Sequence, residues 1–331
     1  MARENKISDH HNGRHFFNPT HPADHGFKDV LKFLLTSRNQ PWPKWIDNHP
    51  QLNLEAALAR NEAAVTFVNH ATVLIQFQGF NILTDPVWSM RASPLQWLGP
   101  KRVRAPGIPF DELPRIDLVL ISHNHYDHLD VATLKKLRTK FNPHFVVAKG
   151  DLALMNKHGL HAVTELDWWE NFYFRDGLSV TMAPTQHFSS RTPFDRNRSI
   201  WGSYQIRFPE GQQIYFGGDA AYSIHFKEIK KRLGAPDLAL IPIGAYEPRW
   251  FMKQIHMDAA EAVEAHLDLG AKQSVGIHFG TFQLTEEKID QPVIDLRAAL
   301  QAKRISENNF VILGEGQTKI YRLENRMKSE A

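Results

Sequence analysis

The sequence predicts a single α/β sandwich. Three observations carry that prediction: short strand patterns fall into two groups, helical patterns intervene between them, and no linker, repeat or low-complexity tract divides the chain. The 331 residues are 42% hydrophobic and 23% charged, which supplies enough apolar side chain for a sizeable core. A formal charge of +3 calls for no nucleic-acid partner. The absence of cysteine removes disulfides, thiolate nucleophiles and Cys-type zinc sites, so any metal must be held by histidine and carboxylate.

The chain opens on a polar arm, residues 1–26, with five histidines: His10, His11, His15, His21 and His25. Their irregular spacing, with no acidic partner in register, favours a solvated leader over a second metal site. FKDVLKFLLTSR then places Val30, Leu31, Phe33, Leu34 and Leu35 at helical intervals, an amphipathic helix packed by default on the body. Residues 1–60 are thus read as an arm and helix, and 61–331 as the main domain. The opening MARENKISDHHNGRH lacks the apolar stretch of a secretion signal, and no run approaches the roughly 18 apolar residues of a membrane span. A cytoplasmic protein is expected, at most resting on a membrane surface.

After PWPKW, strand patterns at 65–68, 71–77 and 80–85 read as an antiparallel meander. The stretch 86–110 is too irregular for a strand and too broken by proline for a helix. It interleaves Trp88, Met90, Leu95, Trp97 and Leu98 with Arg91, Lys101, Arg102 and Arg104, a mixture suited to an anionic lipid interface. Next, 116–121 is almost continuously apolar, the mark of a strand buried on both faces, and a helix follows at 131–141. Further strands are expected at 144–149, 178–184, 204–208, 213–218, 238–243, 274–279 and 309–314, with helices at 221–233, 258–269 and 286–301.

The chemistry gathers where the buried strand ends. Ser122-His123-Asn124-His125-Tyr126-Asp127-His128 offers three imidazoles and a carboxylate in one turn. His123 and His125 can aim at one metal, Asp127 and His128 at a second. A row of satisfied surface histidines would explain one such residue but not this spacing. Two coordination spheres need more ligands, and the same pattern of a strand running into His or Asp recurs at His187, Asp219 and His278. Asp219 has two oxygens and is read as the bridge; His187 and His278 would complete one metal each. Gly217 and Gly218 allow close backbone approach beside Asp219. Asp85 and Asp130 are candidates to orient the imidazoles, and Arg191 is a candidate contact for a phosphodiester charge, as Trp97 is for lipid.

H-x-H-x-D-H followed by a His, an Asp and a His at strand ends resembles the metallo-β-lactamase superfamily and its αββα sandwich. TDPVWS, ISHNHYDHLD, ELDWWE, IPIGAYEPRWFMK and IHFGTF resemble, more narrowly, the N-acyl-phosphatidylethanolamine-hydrolysing phospholipase D family, from about residue 65 to the C-terminus. The resemblance implies two zinc ions, with iron or manganese as alternatives. His123, His125 and His187 would hold one, Asp127, His128 and His278 the other, and Asp219 both. It also implies substrate contacts from Tyr126 and His256, and a homodimer. Ile255, Val131 and Ala220 depart from the family pattern and are expected to touch no ligand.

The expected reaction is phospholipase D hydrolysis of an N-acyl-phosphatidylethanolamine-like phospholipid to N-acylethanolamine and phosphatidic acid by a two-metal activated hydroxide. Asp127 doubles there as ligand and potential proton acceptor, and His256 binds phosphate or protonates the leaving alkoxide. Hydrolysis of a soluble phosphodiester, lactone or thioester on the same scaffold is the alternative.

Overall fold

The computed structural model describes residues 8–23, 25–38, 40–48 and 58–326. The parts of the predicted arm at 1–7 and 49–57 lie outside the described residues. Two seven-stranded mixed sheets face each other. The first contains β1 (Glu62–Asn69), β2 (Thr72–Phe77), β3 (Phe80–Thr84), β4 (Leu118–Leu120), β5 (His144–Ala148), β6 (Val163–Leu166) and, beyond β1, β14 (Thr318–Arg322). It begins as the expected antiparallel meander and becomes parallel from β3 to β6. The second runs β7 (Asn171–Tyr173), β8 (Ser179–Ala183), β9 (Ser203–Arg207), β10 (Gln213–Phe216), β11 (Leu238–Pro242), β12 (Gln273–Ile277) and β13 (Phe310–Val311), antiparallel to β10 and parallel beyond it.

The side chains sort by the period of two that strands impose. Val73, Ile75, Leu118, Leu120, Ile206, Ile214, Leu238 and Leu240 meet in the core between the sheets. Their alternates Leu74, Val119 and Val147 face outward beneath α2 (Val131–Phe141) and α3 (Leu152–Lys157). On the other side Tyr215, Ala239 and Ile241 lie beneath α4 (His225–Leu233), α6 (Ala259–Leu269) and α7 (Gln291–Lys303), with the short α5 (Arg249–Met252) between α4 and α6 in the chain. Helices therefore cover both outer faces, the αββα order that the resemblance implies. The expected start of α7 at 286 moves to 291, because Pro292 fits only the first turn of a helix, where its missing N–H costs nothing.

The solvated-leader expectation fails at His10, Phe16 and Ala23, which are buried, while the rest of residues 8–23 is exposed or half-buried. Phe16 is buried in the central core and His10 is 6% exposed, its Nε2 2.7 Å from Asp167 Oδ1. Burial alone would lower the His10 pKa, but hydrogen bonds and charge from Asp167 and Asp9 outweigh it and raise it. A raised pKa means the contact stabilises below the ordinary value near 6.5 and is lost as pH climbs through the folded value. The arm is thus expected to become more protease-sensitive at alkaline pH. Phe16→Ala, which forfeits about 3 kcal/mol of core packing, should produce the same sensitivity at neutral pH; timed proteolysis followed by mass spectrometry measures both.

Helix α1 (Phe27–Thr36) rests on the body through Phe33, whose ring stacks on Phe251 at 4.5 Å. Its Val30, Leu31 and Leu35 remain exposed.

Candidate metal centre

The site lies along one edge of the sandwich, where strands from both sheets end together. Strand β4 delivers Ser122, whose N–H and hydroxyl both donate to Asp85 at the end of β3, at 2.7 and 2.6 Å. The same carboxylate takes His128 Nδ1 at 2.6 Å, which turns His128 Nε2 inward. From the second sheet, β8 delivers His187, oriented by Nδ1 donating to the Ile255 carbonyl at 2.8 Å, so Ile255, expected to touch no ligand, does touch one through its backbone. Strand β10 delivers Asp219 through Gly217-Gly218. Gly218 has φ +57°, and a Cβ there would stand 2.6 Å from Ser122 Cβ, so the loop closes only with glycine. Strand β12 delivers His278, whose N–H donates to the His70 carbonyl at 2.7 Å.

All seven residues read from the sequence as ligands converge. His123, His125, His187 and Asp219 place one potential ligand atom each within 4.8 Å of one another, and so do Asp127, His128 and His278 together with His70. Asp219 stands between the groups: Oδ2 is 3.1 Å from His128 Nε2, 3.7 Å from His187 Nε2 and 3.8 Å from His123 Nε2. Its Oδ1 is 3.1 Å from His278 Nε2. Burial pushes the Asp219 carboxyl up, but His128, His278 and His256 outweigh it and hold it well below the usual range. Asp127 follows the same pattern, with His128 the main opposing charge. Burial and neighbouring imidazoles push His125 down to about 3, whereas for His278 the carboxylates prevail over burial and raise it to about 9.

These donors suit a metal. Histidine and aspartate are the mixed nitrogen and oxygen set of hydrolytic centres. His128 Nε2, His278 Nε2 and Asp219 Oδ1 are buried, yet make no well-aligned hydrogen bond despite their 3.1 Å approaches. Groups so placed aim at a common point rather than at each other.

Other sequence assignments fare unevenly. His256 is buried, with Nε2 3.9 Å from Asp219 Oδ2 and Nδ1 without a hydrogen-bond partner. Arg191 lies over the Tyr126 ring at 3.9 Å, while its Nη1 donates to the carbonyls of Asn124 and Leu129 at 2.7 and 2.9 Å. It clamps the histidine turn from outside. Trp97 is 73% exposed on the 86–110 loop. Arg102 and Arg104 are not free cations for an anionic interface. Arg102 is buried and donates to the carbonyls of Ser89 and Val87, and Arg104 pairs with Glu315. Asp130 orients no imidazole; it caps α2 through Ala132 N–H and holds Thr133 and Ser89.

His70 is the residue that sequence reasoning missed. It sits in the β1–β2 turn, with Nε2 3.0 Å from Asp127 Oδ2 and its ring 3.9 Å from that of His278. Burial, then the charge of His278, push its pKa down to about 3. The available signal was an imidazole at a hairpin turn, where glycine or asparagine would ordinarily serve.

Comparison with known proteins agrees with this geometry. A family model described as a β-lactamase superfamily domain matches residues 80–279. An N-acyl-phosphatidylethanolamine-hydrolyzing phospholipase D of Caenorhabditis elegans is 36% identical over 330 residues, 92% of each chain. The mitochondrial protein of the same description from Saccharomyces cerevisiae is 32% identical over 252 residues, 73% of this chain and 54% of that one. Among solved structures, a metallo hydrolase from the archaeon Ignicoccus hospitalis superposes with TM-score 0.60 at 19% identity, covering 80% of this chain and 100% of that one.

Proposed function

Because the chain belongs to the metallo-β-lactamase superfamily, within its N-acyl-phosphatidylethanolamine-hydrolysing phospholipase D branch, we propose that this metal-dependent hydrolase cleaves N-acylated phosphatidylethanolamines to N-acylethanolamine and phosphatidic acid. The observation that carries the reading is the position of Asp219 between two histidine groups. His123, His125 and His187 would hold one cation, zinc being the first choice, and Asp127, His128 and His278 a second, with Asp219 shared. A divalent pair supplies Lewis acidity toward phosphoryl oxygens and acidifies water at neutral pH.

The chain's own residues then divide the remaining work. Water adds to phosphorus, the bond from phosphorus to the ethanolamine oxygen breaks, and the departing oxygen takes up a proton. In this reading Asp127 accepts a proton and His256 meets the phosphate or the departing oxygen. Phe188 packs on His125 at 4.6 Å and belongs to an apolar cluster with Phe251, Met252, Ile255 and Phe33. That cluster leads from the centre to α1.

No helix among the described residues is long and apolar enough to cross a membrane. Exposed Leu31 and Leu35 on α1, with Trp250 beneath Lys32 at 4.3 Å, suit peripheral contact instead. Leu31→Ser combined with Leu35→Ser is expected to weaken binding to anionic phospholipid vesicles about tenfold, from lost apolar burial, while leaving turnover of a detergent-dispersed substrate intact. Flotation and a product assay separate the two effects. The implied homodimer belongs to the same reading, with sedimentation as its check.

The decisive experiment offers the metal-loaded protein a long-chain N-acyl-phosphatidylethanolamine, a soluble phosphodiester, a lactone and a thioester. Release of N-acylethanolamine supports the proposal; turnover of the soluble compounds alone would replace it with a different hydrolase on the same scaffold.

A further inference from the structure

The geometry points to His70 as the positioning residue of one half of the centre: its Nε2–H fixes the Asp127 oxygen that faces the second cation. This rests on the two-metal reading above and adds to it a residue outside the seven ligands. Asp127 Oδ2 is the atom that looks toward both His128 Nε2, at 3.4 Å, and His278 Nε2, at 3.6 Å. His70 Nε2 meets that same oxygen at 3.0 Å, and an ionised carboxylate can only accept, so Nε2 carries the proton.

The surroundings leave the imidazole no other place. Its side chain is buried, with His278 against one side at 3.9 Å and the Phe282 ring edge-on at 5.3 Å. Its backbone is held as firmly. The carbonyl takes the His278 N–H at 2.7 Å, and the His70 N–H donates to Thr281 Oγ1 at 2.9 Å. One residue of the first sheet therefore joins the 123–128 turn to the end of β12, the two segments that supply Asp127, His128 and His278.

The backbone gives an independent reason to think the imidazole is needed. His70 has φ +47°, in the left-handed region where a side chain costs roughly 1 kcal/mol and where glycine or asparagine is usual. The ring packs on His278 and Phe282, and its side-chain hydrogen bond goes to Asp127, since Nδ1 has no partner.

The test compares wild type with His70→Asn, His70→Ala and His70→Gln. Asn tolerates the backbone but its amide is too short to reach Asp127; the Gln amide reaches about as far as Nε2. Each protein is stripped, reloaded with Zn2+ or Co2+, and titrated against a chromogenic chelator, with cobalt absorption reporting the ligand field and thermal melts reporting the fold. Wild type is expected to hold two ions per chain. Asn and Ala should weaken one of them by about 10- to 100-fold, the usual effect of removing an outer partner, and leave the other unchanged. Gln should recover most of that loss.

Two tight ions in folded His70→Asn and His70→Ala would overturn the inference. So would a Gln variant as weak as Asn, since the ring would then act as a ligand. Wild type holding no second ion is a different result, and it would overturn the two-metal reading itself.

Discussion

Asp219→Ala should leave a folded protein that has lost its activity, with turnover down by at least about 10^3-fold and no more than one ion per chain. The size follows from position. Among the described residues, Asp219 is the one carboxylate within 4 Å of imidazoles from both groups, with His128 and His278 each at 3.1 Å. On the proposed assignment, removing a ligand from one sphere would weaken one ion, whereas removing Asp219 would take an oxygen from both. The fold has a way to adapt that the chemistry lacks. Stripping one partner from a buried ion pair costs about 3–5 kcal/mol if the other stays charged. The raised pKa values of His128 and His278 depend on the carboxylates beside them, against the opposing effect of burial. Without Asp219 they can lose a proton instead of remaining bare cations, so the metal-free variant is expected to melt within about 2 kcal/mol of metal-free wild type. Metal analysis, turnover and calorimetry on one preparation check the three statements. A variant that keeps two ions and full turnover would show that Asp219 is not shared.

What the sequence disclosed follows from which signals are local. The strand at 118–120 was legible because its apolar run is buried on both faces, and H-x-H-x-D-H because its spacing is chemical rather than structural. His187, Asp219 and His278 were found since each follows a strand. His70 escaped for the opposite reason: it occupies a hairpin turn, a place read for backbone conformation, and its partner Asp127 is 57 residues away. Polarity alone hides the anchoring contacts of the arm. Asn18 donates to the His187 carbonyl at 2.8 Å and Gln186 to the His21 carbonyl at 2.8 Å, contacts between segments more than 160 residues apart that no local pattern announces. Arg102 and Arg104 looked available because sequence shows charge without showing its partner. The short edge strands β6 and β7 went unseen because they bury too little to leave an alternating pattern.

Asp85 separates the two demands that a metal site makes on its surroundings, holding the fold and holding the tautomer. It is fully buried and accepts from Ser122 N–H, Ser122 Oγ and His128 Nδ1. Asp85→Ala orphans three donors at once. At about 1–3 kcal/mol for each unsatisfied group, with incomplete additivity, the expected loss is about 3–5 kcal/mol, and a fall in metal affinity would then say little about orientation. Asp85→Asn is the sharper change. Its volume is the same and its carbonyl oxygen can still accept from Ser122, but its amide turns an N–H toward His128. His128 Nδ1 must then become the acceptor, which moves the ring proton to Nε2, the nitrogen that faces Asp127 and Asp219. A protonated Nε2 cannot bind a cation. Asp85→Asn is therefore expected to melt within about 2 kcal/mol of metal-free wild type and yet bind the second ion about 100-fold more weakly. The ion that His123, His125 and His187 would hold should be spared. Equal weakening of both ions would point to general loosening of the edge, whereas loss confined to one, in a protein of near-normal stability, would identify the direction of a single proton as what Asp85 controls.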